Sequence, residues 1–136
     1  MIQLINRPNY IERISPFINK NIIKVLTGQR RVGKSCILRQ IQAHIEATEP
    51  NSNIISINKE LEEFALIRNH EDLSQYISSR LKDGVANYLF IDEVQDITGF
   101  ENTLRSLQAQ DACDIFITGS NATMLSSELS TYLSGR

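Results

Sequence analysis

The chain has 136 residues, with 14 Lys+Arg against 16 Asp+Glu, a formal net charge of -2, 41% hydrophobic and 22% charged residues. That length holds one domain around one core, and the apolar content excludes a disordered chain. Two Cys exclude a disulfide scaffold and fit reduced thiols in a cytoplasmic protein, no apolar run reaches the ~20 residues of a membrane span, and the opening residues lack the leader of a secretory signal.

Residues 1–20 read as an extended arm leading into a short helix, with Pro8 and Pro16 as punctuation, ahead of a core over 21–136. Charge is uneven. The first 40 residues carry Arg7, Arg13, Lys20, Lys24, Arg30, Arg31, Lys34 and Arg39 against one acid, Glu12. Such a basic third suits a polyanion such as nucleic acid. Against this, the overall pI of about 5.7 is not that of a dedicated nucleic-acid binder, and no aromatic residues interleave a basic stripe. An ordinary solvated surface accounts for the same charges.

The first apolar run, 22–26, predicts a strand. Behind it, Gly28-Gln29-Arg30-Arg31-Val32-Gly33-Lys34-Ser35 fits G-x-x-x-x-G-K-S/T without a mismatch. The placement between a strand and a helix is the one a phosphate-binding loop requires. Gly28 and Gly33 allow backbone approach that a Cβ would block. The loop N–H groups then converge on phosphates, aided by the helix N-terminus. Lys34 supplies a point charge for the β- and γ-phosphates, and the Ser35 hydroxyl is a Mg²⁺ ligand. Cys36 follows where a hydroxyl residue is common, so its contact with the nucleotide would come from the backbone; a small buried side chain is the simpler reading of its thiol.

The helix opened by Lys34 extends over 34–47, with Ile37, Leu38, Ile41 and Ile45 on one stripe and Glu49-Pro50 as its stop. A second strand follows at 54–57. Residues 59–69 suit a short helix or a packed loop. A helix over 73–82 carries Leu73, Tyr76, Ile77 and Leu81 at helical spacing, closed by Asp83-Gly84.

The third strand, 88–91, runs into Asp92-Glu93, the Walker B pattern. Asp92 would hold Mg²⁺ directly or through water, and Glu93 would polarise the water that attacks the γ-phosphate. A Glu there points to P-loop enzymes that carry their own base and away from kinase-like and small GTPase-like chains; no N-K-x-D guanine motif is evident. A helix over 100–109 and a fourth strand at 115–117 complete the pattern. Strand and helix alternate throughout, which predicts an α/β fold: a three-layer α/β/α P-loop NTPase sandwich with a parallel sheet.

These segments resemble a known family. Gly28 to Ser35, Phe90-Ile91-Asp92-Glu93-Val94-Gln95, Phe116-Ile117-Thr118-Gly119-Ser120-Asn121, Leu125 to Leu129, and Leu133-Ser134-Gly135-Arg136 are similar to the AAA-like ATP-binding proteins of bacteria and archaea, as is the opening Arg7-Pro8-Asn9-Tyr10. The resemblance implies ATP and Mg²⁺ as ligands and ATP hydrolysis as the reaction. It also implies an additional-strand sheet in the order 1-4-3-2, with the fourth strand between the P-loop strand and the acidic one. A polar residue at that strand's tip, Asn121 in preference to Ser120, would touch the γ-phosphate; the same residues would equally cap a following helix. Arg136 occupies the position of an arginine finger, acting in cis or toward a neighbouring subunit; a terminal surface Arg is the plainer alternative.

Family members continue into a fifth strand, a helical lid and a C-terminal domain. The chain therefore reads as a truncated ATPase core whose P-loop strand edge lacks that neighbour, completed by the C-terminal part or a partner subunit. Two alternatives come with it: an ATP-dependent conformational switch that hydrolyses little, and a DNA-associated motor.

Overall fold

The computed structural model describes residues 23–27 and 34–119. The arm over 1–20, the loop residues Gly28, Gln29, Arg30, Arg31, Val32 and Gly33, and Ser120, Asn121 and Arg136 lie outside the described residues. Among the described residues four strands form one sheet: β1 (Lys24–Thr27), β2 (Asn53–Asn58), β3 (Asn87–Asp92) and β4 (Asp114–Gly119). All pairings are parallel, and the order is β1-β4-β3-β2, as the resemblance implies. Among the described residues β1 pairs with β4 alone.

Among the described residues three helices alternate with the strands: α1 (Lys34–Thr48), α2 (His70–Ser78) and α3 (Phe100–Gln110). Side chains of a strand point alternately to its two faces, and here both faces are apolar. On one face Tyr88, Phe90 and Phe116 meet Ile37, Leu38, Ile41 and Ile45 of α1. The Phe90 and Phe116 rings stack at 4.8 Å, because their residues are in register on β3 and β4. On the other face Ile55, Ile57, Leu89, Ile91, Ile115 and Ile117 pack against Leu73 and Ile77 of α2 and Phe100, Leu104 and Leu107 of α3. The result is the three-layer α/β/α arrangement.

Local chemistry sets the helix ends. α1 stops before Pro50, whose ring disfavours helical backbone at Glu49. α2 begins three residues earlier than its apolar spacing predicts. Its cap is Asn69, whose side chain accepts from the Asp72 N–H at 2.9 Å, with Glu71 and Asp72 in the first turn. It also ends at Ser78 rather than at Lys82. The Asn53 side chain donates to the Arg80 carbonyl at 2.7 Å, and the Asn87 side chain bonds both the Lys82 N–H and its carbonyl. Those bonds hold 80–82 out of the helix. In the ambiguous stretch 59–69 only Glu62–Phe64 forms a single 3-10 turn. Lys59 gathers this loop by donating to the Phe64 and Ile67 carbonyls.

A charged pair lies inside the core. Lys24 and Asp114, 90 residues apart, form a buried ion pair at the N-terminal end of the sheet. The Lys24 ammonium also sits 4.6 Å from the Phe116 ring centroid. Lys24 thus presents no charge at the surface, although the sequence counts it in the basic third. Beside the pair, burial and the Asp114 carboxylate push the Cys113 thiol up to about 12. Both Cys113 and Cys36 are free and buried.

Candidate functional site

Parallel strands deliver their C-terminal ends to one edge of a sheet, where ligands of open α/β folds bind. Here that edge gathers Thr27, Asn58, Asp92 and Gly119 as strand ends. α1 starts at the same edge with Lys34 and Ser35, since the connection from β1 occupies only residues 28–33. A strand–loop–helix unit and an acidic strand end therefore meet, although 57 residues separate Ser35 from Asp92.

The meeting is direct. The Ser35 hydroxyl donates to Asp92 Oδ2 at 2.5 Å. The Thr118 hydroxyl donates to the other oxygen, Asp92 Oδ1. Thr118 also accepts from the Glu93 N–H at 2.9 Å. Asp92, Glu93 and Thr118 are all buried, with Thr118 fully so. Asp92 is thus held on both oxygens by hydroxyls from two different elements, α1 and β4.

Glu93 has a backbone conformation uncommon for its residue type. It lies at φ 61°, ψ 52°, in the left-handed region. A non-glycine residue there costs roughly 1–2 kcal/mol, and such residues cluster at functional sites. The turn is held by the bond to Thr118 and by the Glu93 carbonyl, which accepts from the Asp96 N–H at 3.1 Å. The Glu93 carboxylate accepts from the Gln95 amide at 2.6 Å.

Beside this cluster a groove of about 430 Å³ opens between α1, the end of β2 and the 59–64 loop. Ser35 and Asp92 stand at the cluster end, while Arg39, Gln42, Ser56, Asn58 and the carboxylates of Glu46 and Glu63 supply its polar walls. Arg39 reaches back to donate to the Cys36 sulfur at 3.4 Å.

Of the residues singled out from sequence, Ser35, Asp92 and Glu93 come together, and Lys34 begins the helix that carries Ser35. The loop residues 28–33, Asn121 and Arg136 lie outside the described residues. Thr118 escaped the sequence reading, which took 115–117 as strand and looked to its tip for function. The available signal was alternation: 116 and 118 share a face with 90 and 92 once β3 and β4 are neighbours in register.

A family model described as an AAA domain matches residues 20–136. An uncharacterized protein of Haemophilus influenzae is 36% identical over 135 residues, covering 98% of this chain and 34% of that protein. An uncharacterized protein of Methanocaldococcus jannaschii is 35% identical over 117 residues, 85% of this chain and 25% of that protein. The chain thus spans about a third of one relative's length and a quarter of the other's. Among the described residues no helix is long and apolar enough to cross a membrane.

Proposed function

Because the chain belongs to the AAA domain family, we propose that it is the ATP-binding core of a Mg²⁺-dependent ATP hydrolase. The observation that carries this reading is the 2.5 Å bond between Ser35 and Asp92. It joins the last residue of G-x-x-x-x-G-K-S to the acidic end of β3. One hydroxyl and one carboxylate form an all-oxygen donor set that fits a small hard cation with further places for phosphate and water. Ser35 and Asp92 would hold Mg²⁺, which when bound neutralises charge on the β- and γ-phosphates.

The chain's own residues then divide the work. The loop 28–33 wraps the phosphates with backbone N–H groups, and the Cys36 backbone extends that cradle. Lys34 places its ammonium against the β- and γ-phosphates. Glu93 accepts a proton from water aligned with the γ-phosphorus. Asn121 senses the γ-phosphate, and Arg136 meets the charge that develops there, in cis or on a neighbouring subunit. Catalysis is mostly positioning and charge stabilisation. ATP is preferred over GTP on family grounds and for want of a guanine motif. The remaining length of the longer relatives is where a lid, a C-terminal domain or a partner would act.

Lys34→Ala is expected to abolish ATP binding measured by calorimetry while circular dichroism stays unchanged. Binding retained at the parent affinity would contradict the phosphate-loop assignment.

A second reading has its own observation. The Gln95 amide holds one oxygen of the Glu93 carboxylate, Oε1, and so restrains the base on the Gln95 side. That favours an ATP-controlled switch with slow turnover. Under this reading Gln95→Ala raises single-turnover hydrolysis several-fold; turnover equal to or below the parent's removes the switch.

A further inference from the structure

We infer that Thr118 is a positioning residue whose single hydroxyl holds both halves of the site: the metal-side carboxylate of Asp92 and the backbone of the base, Glu93. This deepens the ATPase reading and rests on it.

A hydroxyl has one proton to give and two lone pairs to offer. At Thr118 the proton goes to Asp92 Oδ1 and a lone pair takes the Glu93 N–H at 2.9 Å. An ionised carboxylate can only accept and an amide N–H can only donate, so both directions are fixed. Thr118 is fully buried, so water does not substitute for either bond. The fold imposes the arrangement. Phe90 pairs with Phe116 and Ile91 with Ile117, which puts residue 118 beside the end of β3.

Both partners need the brace. Ser35 already occupies Asp92 Oδ2 from α1. With Thr118 on Oδ1, the carboxylate cannot rotate without breaking one of the two bonds. When Ser35 offers its lone pairs to a cation, Thr118 remains the second clamp on Asp92. Glu93, for its part, holds left-handed backbone at φ 61°, and the direction of its side chain depends on that turn. The bond from its N–H to Thr118 ties the turn to β4. Loss of the hydroxyl therefore acts on the cation and on the base together, whereas a change at Asp92 or Glu93 acts on one. Valine keeps the shape of threonine and removes the hydroxyl; serine keeps the hydroxyl.

The test uses the full chain, Thr118→Val and Thr118→Ser. Two readouts are independent of turnover. The first is amide hydrogen exchange at Glu93 without nucleotide. The second is the Mg²⁺ concentration that half-saturates the Mg²⁺-dependent gain in ATP binding, alongside ATP affinity in EDTA. Thr118→Val is expected to speed Glu93 exchange and to raise the Mg²⁺ half-saturation roughly 10–100-fold, the usual effect of removing a partner that orients a metal-holding group. Affinity in EDTA stays at the parent value, which separates positioning from general loss of structure. Thr118→Ser restores both readouts.

A folded valine variant with parent Mg²⁺ dependence overturns the inference, as does a serine variant that behaves like valine. If the valine variant does not fold, the parent decides: slow Glu93 exchange supports the bridge, and exchange as fast as an exposed loop overturns it. A parent chain that binds no ATP overturns the ATPase reading and the positioning role with it, while Glu93 exchange still reports the hydroxyl bridge separately.

Discussion

Glu93→Gln is expected to bind ATP as the parent does and to lose about 10²- to 10⁴-fold in hydrolysis, the usual worth of a positioned general base. The substitution is nearly isosteric. It keeps the N–H that bonds Thr118 and the carbonyl that accepts from Asp96, so the left-handed turn survives. What disappears is the carboxylate that could take a proton from water. Calorimetry reports the binding, and single-turnover phosphate release reports the chemistry. Normal hydrolysis in Glu93→Gln would move the base elsewhere and leave the strained turn without a catalytic role.

Asp114→Ala is expected to be the most destabilising single change among the described polar residues, by about 3–5 kcal/mol, because it strands the buried Lys24 ammonium. Breaking such a pair costs far more than the pair itself contributes. Replacing both partners by apolar residues, Lys24→Met with Asp114→Leu, is therefore expected to recover most of the loss. Lys24 also gives the stability a pH dependence. Burial lowers its pKa from 10.5, an effect that exceeds the opposing pull of Asp114. Between the lowered folded value and 10.5 the unfolded chain binds more protons, so stability rises with pH across that window and the gain is lost as pH falls through the folded value. Cys113 opposes this at higher pH, because a thiol raised to about 12 keeps a proton that the unfolded chain loses. The Lys24 contribution is therefore read as the difference in alkaline slope between urea melts of the parent and of the double variant, which keeps the buried Cys113. Equal stability of Asp114→Ala and parent would mean that the pair carries no structural weight.

Much of the fold was legible because parallel strands buried on both faces must be continuously apolar. The four runs at 22–26, 54–57, 88–91 and 115–117 fall on β1, β2, β3 and β4 with small shifts of their ends. The sheet order came from a different source, the likeness of the motifs to a known family, since nothing in periodicity distinguishes 1-4-3-2 from other orders. Helix ends were less legible where distant side chains decide them. Asn53 and Asn87 stop α2 from outside, and neither lies in the helix they terminate. The Lys24–Asp114 pair was hidden for the same reason: two charges 90 residues apart read as separate surface residues until β1 and β4 are placed side by side.

The site divides in the same way. Ser35, Asp92 and Glu93 were visible because phosphate and Mg²⁺ chemistry restricts the residue types and their positions after a strand. Thr118 was not, because a threonine inside an apolar strand is ordinary sequence. Its place in the argument depends on register, which pairs Ile91 with Ile117 and so brings the next residues, Asp92 and Thr118, together.

The proposed function stands or falls with the junction of Ser35 and Asp92 as a Mg²⁺-ATP site. Its most direct measurement is calorimetric titration of the chain with ATP and with GTP, each with and without Mg²⁺. ATP is expected to bind more tightly with Mg²⁺ than without it, and GTP more weakly than ATP in both conditions. ATP binding indifferent to Mg²⁺, or no nucleotide binding by a chain that circular dichroism shows to be folded, would contradict it.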